Sequence, residues 1–292
     1  MINPLLIANF VKMQLRKTKT DKKDALVIAQ FLLMYVDTLA QTSISPHVSD
    51  LRDLSRQREG LLSQMTALKC DMKRILTITF PELEKLTGVF TKSILQLLSR
   101  FPSANAIVQA DPAEITQLLI DHSMGRNSAT TTQAIIQAAR SSVGTTSPSR
   151  ELILKQKADV LIHLEGHLKE LTATMIDLCR SDMGDDIDIM TSLRGIGEKT
   201  ATNFLVEMRG DIRKFKDHKK LIAMAGLDPA IYQSGKHDGQ GRITKRGNRH
   251  LRRVIWLMTI RVIQFNDCFR QHYQKRRTGW SSFQKGSPGH CP

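Results

Sequence analysis

Two carboxylates stand three residues apart near the start of the chain, in the segment Lys-Thr-Asp-Lys-Lys-Asp-Ala at 19–25. Asp21 and Asp24 precede an apolar helical pattern, so they belong to the opening turn of a predicted helix. At this spacing both side chains share one helix face and are able to supply part of a divalent metal site. Aspartates in a first turn also cap the helix and compensate its dipole. The pair is therefore a candidate metal site with a structural alternative.

A serine beside a glycine is the second candidate for chemistry. Ser234 lies in Gln-Ser-Gly at 233–235, inside a glycine-rich loop over 231–248. An exposed serine can attack a phosphate when its hydroxyl is activated and the charge on the phosphate is neutralised. Ser-Gly pairs are also ordinary turn residues. The spacing alone leaves both interpretations open.

The basic segment directly after this serine predicts a polyanionic partner. Six of the twelve residues over 242–253 are Lys or Arg and none is acidic, in a chain with a formal net charge of +15. Arg249, Arg252 and Arg253 crowd the first turns of a predicted helix, where cations oppose the helix dipole. An external anion explains them better than local stability does, and nucleic acid is the expected partner. Aromatic residues make up only 5% of the chain, which argues against base stacking.

A glycine turn offers a further phosphate contact. Gly195-Ile196-Gly197 precedes an amphipathic helix that contains Lys199. Free backbone N–H groups and the dipole at a helix start suit a phosphate, as in a helix-hairpin-helix motif, although such turns also serve as plain connectors. The predicted nucleic-acid-binding residues are Gly195, Gly197, Lys199, Lys236, Arg242, Lys245, Arg246, Arg249, Arg252 and Arg253.

The elements that must position these residues are predicted to be helices. A helix over 20–36 carries an apolar stripe, a helix over 212–229 ends at Gly226 and Pro229, and a third runs from 249 to about 265. The predicted stripe of the first helix is Ala25, Ile28, Ala29, Leu32 and Leu33.

Two heptad seams indicate long helices in the middle of the chain. Apolar residues follow steps of three and four over 51–75, broken by Arg58, and over 154–178, broken by Lys157. The two helices are predicted to form a coiled coil, either as a hairpin within the chain or with a second protomer. Short helices punctuated by prolines fill 81–149. The predicted fold class is mainly α.

Other patterns exclude several classes of protein. No apolar run reaches membrane-spanning length, and four isolated cysteines favour a cytoplasmic protein without a disulfide framework or zinc ribbon. The acidic segment 181–190 lacks a glycine at the position that a calcium loop requires and lacks its terminal glutamate, so a helix end or linker is expected there. His-Leu-Glu-Gly-His at 163–167 lacks the adjacent His-Glu of zinc proteases.

Two stretches together resemble the DEDD-type insertion-sequence transposases. They are KTDKKDALVIAQFL at 19–32 and LRGIGEKTATNFLVEM onward through 193–256, and the resemblance spans roughly residues 1–278. The family joins a RuvC-like domain of RNase H fold, through a coiled coil, to a C-terminal transposase domain. The resemblance implies a remnant C-terminal RuvC-like helix over 1–45, a helical coiled-coil region over 46–185 and a small helical DNA-binding domain over 186–280. An irregular tail is expected over 281–292.

The resemblance also implies roles for the candidate residues. Asp21 and Asp24 match two members of a four-carboxylate site for Mg²⁺, and Ser234 matches the family's nucleophilic serine. Family members are DNA recombinases, and some are directed by a structured RNA, so DNA, a guide RNA and further copies of the chain are implied partners. The implied reaction is DNA transposition by serine- and metal-dependent strand cleavage and exchange.

The chain departs from the family pattern at two places. Arg194 stands where the family motif has proline, and the family's other two metal-site carboxylates precede the position at which this sequence starts. A truncated, inactive reading frame is therefore one expectation. A non-enzymatic helix-hairpin-helix module for DNA binding or dimerisation is the rival hypothesis, and a junction-resolving nuclease that uses carboxylates without serine is the third.

Overall fold

The computed structural model describes a mainly α protein, as predicted from the sequence. It covers residues 4–13, 20–35, 46–123, 129–145, 147–208, 215, 217–230, 233–234, 237–238 and 242–285. Strands within these ranges are two residues long each. The chain divides into two compact units, Met1–Ser49 and Asp50–Pro292.

The first unit contains two helices, α1 (Pro4–Met13) and α2 (Asp21–Tyr35). The predicted helix over 20–36 is therefore confirmed. The carbonyl of Thr20 accepts hydrogen bonds from the N–H groups of Lys23 and Asp24, at 3.0 and 2.9 Å, so Thr20 occupies the N-cap position.

The buried face of α2 differs from the predicted stripe. Val27 and Phe31 are buried, whereas Leu33 is 81% exposed. The ring of Phe31 packs edge-on against Phe10 of α1, with centroids 5.4 Å apart, and lies 4.9 Å from the ring of Tyr35. These aromatic contacts set the rotation of α2 about its axis, because large rings dominate the apolar area that two short helices are able to bury.

The second unit contains most of the chain. Its helices, together with the start of α3 in the first unit, are α3 (Pro46–Thr79), α4 (Leu83–Leu86), α5 (Lys92–Arg100), α6 (Ala104–Gln109), α7 (Pro112–Ser123), α8 (Ala129–Arg140), α9 (Pro148–Thr191), α10 (Glu198–Glu207), α11 (His218–Ala225), α12 (Arg249–Phe265) and α13 (Asp267–Lys285). Its strands are β1 (Pro229–Ala230), β2 (Gln233–Ser234), β3 (His237–Asp238) and β4 (Arg242–Ile243). None of the described helices is both long and apolar enough to cross a membrane.

The two long helices α3 and α9 pair with each other inside the chain. Asp71 accepts a hydrogen bond from Lys157 at 2.9 Å, and Arg58 donates to Thr172 at 3.1 Å. Asp71 comes after Arg58 in α3, whereas its partner Lys157 comes before Thr172 in α9. The two helices are therefore antiparallel. Both heptad seams are buried or half-buried. A supercoil and pairing with a second protomer stay predictions.

Two hydrophobic cores lie along this helix pair. The first packs α4 to α8 against α3 and the N-terminal half of α9, around residues such as Phe80 and Leu97. The second packs α10, α11 and α12 against the C-terminal half of α9, around Leu205 and Leu251. Cys179 belongs to this second core, and burial raises the pKa of its thiol to about 11.

The predicted domain boundary at 45/46 lies close to the division between the two units at 49/50. The domain boundary at 185/186 stays a prediction. The acidic segment 181–190 is helical within α9, interrupted at Met183 by non-helical backbone, with φ −133° and ψ 33°. Helix α13 continues through residue 285, so the first part of the predicted irregular tail is helical, and 286–292 fall outside the described residues.

Candidate nucleic-acid interface and catalytic loop

Ser234 lies in a short β-hairpin where the sequence predicts a loop. Strands β2 and β3 are antiparallel, with Ser234 opposite His237. Strands β1 and β4 precede and follow this pair in the sequence. They are also antiparallel to each other, with Ala230 opposite Arg242. The hairpin therefore leads directly from the serine into the basic segment. Lys236, a predicted nucleic-acid contact, falls outside the described residues.

The chain after the hairpin is fixed to the C-terminus of α11. Lys245 N–H donates to the carbonyl of Gly226 at 3.0 Å, and Asn248 N–H donates to Met224 at 2.7 Å. Gly226 ends α11 in the left-handed region, at φ +64°, which confirms the predicted helix end. A Cβ at Gly247 would lie 2.2 Å from the carbonyl oxygen of Met224, so only glycine permits this close approach.

Asn248 connects this segment to α12 as its N-cap. Its side-chain oxygen accepts from the N–H groups of His250 and Leu251, at 2.9 and 3.3 Å. Its amide nitrogen donates to Glu207 Oε2 of α10 at 2.6 Å, and Glu207 is only 1% exposed. The other carboxylate oxygen of Glu207 lies 3.8 Å from Arg56 Nε of α3. The buried carboxylate thus orients the cap, and α12 starts where the sequence predicts.

The basic residues of this region divide into two groups. Arg252 donates to the carbonyl of Ala225 at 2.7 Å, and Arg253 lies 3.4 Å from the carboxylate of Glu59. These internal acceptors account for part of the charge in the first turns of α12. The other predicted contacts whose side chains are exposed are Lys199, Lys245, Arg246 and Arg249. DNA contact by any member of either group stays a prediction.

Three residues at this site were missed by the sequence analysis. Glu59 lies 2.5 Å from His250 Nδ1, with both side chains about one-fifth exposed, and Glu207 and Asn248 form the cap described above. Asn248 could have been found, because Asn before a helical pattern is an N-cap signal. The two glutamates gave no signal, since their partners lie 191 and 41 residues away in the sequence.

The Gly-Ile-Gly turn packs between helices. Gly195 has φ +107°, and a Cβ there would lie 2.7 Å from the carbonyl oxygen of Arg261 in α12. Ile196 is buried, whereas Gly197 is the N-cap of α10 and has open space around its Cα. The turn therefore has a structural role at its first glycine. A phosphate contact and a helix-hairpin-helix function stay predictions.

Asp21 and Asp24 lie in the first turn of α2, in the first unit. Asp21 is exposed and Asp24 is half-buried, and their spacing places them on one helix face. Within the described ranges, no group of three or more His, Cys, Asp or Glu side chains is arranged to hold a metal. Proteins bind Mg²⁺ through one or two carboxylates completed by waters and substrate phosphates, so the pair fits part of such a site.

Comparisons with known proteins match both parts of the chain. The Transposase IS116/IS110/IS902 family model matches residues 187–274, which contain Ser234 and the basic segment. A transposase model of the DEDD type matches residues 1–81, which contain both aspartates. The chain is 27% identical to a 44.8 kDa protein of insertion element IS116 from Streptomyces clavuligerus and 25% identical to a 42 kDa protein of IS900 from Mycobacterium paratuberculosis. Each match covers 89% of this chain and 65% of the relative.

Proposed function

Because the chain belongs to the IS116/IS110/IS902 transposase family, we propose that it binds DNA and catalyses DNA transposition through Ser234. The two matched family segments together cover more than half of the chain. The observation that supports the proposal most is that the serine and the basic segment follow each other closely in the chain. The hairpin that carries Ser234 leads into a basic segment that is fixed to α11 by backbone hydrogen bonds.

DNA binding uses the exposed cations of this segment. Within the described part of the chain, no carboxylate lies within ion-pair distance of Lys245, Arg246 or Arg249, so their charge is available to an external anion. Lysine and arginine contacts to phosphates position a protein on nucleic acid without reading its sequence. The segment therefore holds the DNA backbone beside the hairpin.

The serine performs the covalent step. The Oγ of Ser234 forms a bond to the scissile phosphorus, and the bond from phosphorus to one deoxyribose oxygen breaks. The serine proton is lost, and the departing oxygen receives a proton to become a hydroxyl group. The hydroxyl of another strand then attacks the same phosphorus and loses its proton. The bond from phosphorus to Oγ breaks, Ser234 regains its proton, and the two strands are joined. Neighbouring arginines neutralise the charge that develops on the phosphoryl oxygens.

Asp21 and Asp24 are the proposed ligands of a divalent cation, Mg²⁺. The bound cation would polarise the phosphoryl group as a Lewis acid. Both carboxylates lie in the first turn of α2, on one face of the helix.

Further partners belong to the same proposal. A structured RNA that pairs with DNA would supply sequence specificity, because the basic segment contacts only the backbone. The long helices α3 and α9 offer surfaces for pairing with a second copy. The proposed location is the cytoplasm, because four isolated cysteines fit a reducing compartment.

A covalent-adduct assay tests the proposed function. We expect that incubation with Mg²⁺ and DNA carrying the sequences that flank the reading frame yields a protein–DNA adduct resistant to detergent. After nuclease and protease digestion, mass spectrometry should locate a phosphonucleotide on Ser234. The variant Ser234→Ala should give no adduct while binding the same DNA with unchanged affinity.

A non-enzymatic DNA-binding module is the alternative. It is favoured by one observation, the exposed cations of the basic segment, which are able to hold a DNA backbone without a catalytic group. It predicts DNA binding without an adduct, and no effect of Ser234→Ala or Asp24→Ala. An adduct that persists in Ser234→Ala would contradict the serine mechanism, and an adduct that is lost in Asp24→Ala would support the role of the carboxylates.

A further inference from the structure

Two cations interrupt the heptad seams, and only one of them has a carboxylate partner. Lys157 lies 2.9 Å from Asp71, which explains its place beside the core. Arg58 is buried to all but 7%, and its Nε donates to the neutral hydroxyl of Thr172 at 3.1 Å. Across the described residues, no carboxylate lies within ion-pair distance of Arg58. Burying an arginine without a carboxylate partner costs free energy of folding, which points to a functional interaction of Arg58.

The carboxylate next to Arg58 in the chain is engaged elsewhere. Glu59 Oε2 lies 2.5 Å from His250 Nδ1, and Glu59 Oε1 lies 3.4 Å from an Nη of Arg253. Burial, and then the charge of Arg253, lower the pKa of Arg58, and the charge of Glu59 offsets only part of this effect. One carboxylate therefore serves several cations.

A third cation comes from α10. Ser55 donates to the side chain of Asn203 at 3.1 Å, and Asn203 donates to the carbonyl of Lys199 at 2.7 Å. These bonds hold the start of α10 beside α3, one turn from Arg58. Burial, and then the charge of Arg58, lower the pKa of Lys199. Positive charge thus gathers at the junction of α3, α10 and α12.

We propose that Arg58, Lys199 and Arg253 form a binding site for one backbone phosphate of nucleic acid. Arg58 forms the floor of the site, while Lys199 and the half-exposed Arg253 form its accessible rim. A guanidinium offers a planar fork of donors that matches phosphate oxygens, and the phosphate charge compensates the gathered cations. The inference rests on the proposed DNA binding and adds a contact on α3.

The test is the salt dependence of DNA binding by the full chain with Arg58→Met. Each phosphate that a protein neutralises contributes about 0.9 to the slope of log K against log salt. We expect Arg58→Met to reduce this slope by about 0.9 relative to the unaltered chain. Lys157→Met, which removes the paired cation of the other seam, should leave the slope unchanged.

Stability measurements separate the site from a structural role. Without DNA, Arg58→Met should unfold at the same or a higher temperature, because it removes repulsion with Lys199 and Arg253. An unchanged slope overturns the proposal whatever the unfolding temperature. If Arg58→Met fails to fold, Lys199→Gln takes its place, and the same loss of slope is expected.

Two further outcomes identify the occupant. If the unaltered chain does not bind DNA at all, the proposed function fails, whereas binding with an unchanged slope in the variant overturns only the present inference. Inorganic phosphate at matched ionic strength is the second probe. Thermal stabilisation by phosphate that depends on Arg58, together with an unchanged DNA slope, would overturn the assignment to nucleic acid in favour of free phosphate.

Discussion

Replacing Arg246 and Arg249 with glutamate is expected to weaken the binding of duplex DNA by about a hundredfold at about 0.1 M salt. Arg246 is exposed in the segment that backbone hydrogen bonds fix to α11, and Arg249 is exposed in the first turn of α12. Loss of two phosphate contacts removes about tenfold in affinity each at this salt concentration, and the new carboxylates add repulsion. Fluorescence anisotropy with labelled duplex measures the effect, and the salt slope should fall by about two.

The matched control is the same change of charge on a different surface. Lys155 and Lys169 are exposed on α9, and their replacement by glutamate lowers the formal net charge of +15 by the same amount. We expect this variant to keep most of the affinity, because only net charge has changed. Equal losses in both variants would show that overall charge, and not the basic segment, binds DNA.

Gly195→Ala is expected to destabilise the second unit by about 2–4 kcal/mol. Backbone at φ +107° is strained for any residue with a side chain, and the added Cβ would lie 2.7 Å from the carbonyl oxygen of Arg261. Neither the turn nor α12 can move without disturbing the second core, to which Ile196 and Val262 belong. Thermal unfolding followed by circular dichroism should show a decrease of on the order of 10 °C.

Gly197→Ala is the control from the same motif. Gly197 has φ −92°, and a Cβ there meets no atom within 4 Å, so the cost should remain below about 1 kcal/mol. A similar loss of stability in both variants would contradict the packing described for Gly195. If Gly197→Ala retains its stability and loses DNA affinity, the predicted phosphate contact at the start of α10 gains support.

The helices that carry the candidate site follow from local signals in the sequence. Helix α12 begins and ends as predicted because Asn248 caps it and its apolar periodicity stops at Phe265. The buried face of α2 was predicted wrongly. Periodicity placed Leu33 inside, but the rings of Phe10 and Phe31 decide which face of α2 meets α1.

The polar contacts of the site depend on tertiary structure. The sequence indicated a polar interruption at Arg58, but it could not reveal that Thr172 faces it across the helix pair. The contacts of Glu59 with His250 and of Glu207 with Asn248 join segments that only the fold brings together. No local pattern encodes such contacts, because their free energy comes from burial and pairing in the folded state.

Lysine footprinting in the presence of DNA tests the central claim most directly. An amine-reactive acetylating reagent is applied to the free chain and to its complex with duplex DNA, and modification is read by mass spectrometry. The proposed interface predicts that DNA protects Lys199, Lys236 and Lys245, while Lys155 and Lys169 on α9 react equally in both samples. Protection of the α9 lysines, with the other three unprotected, would contradict it.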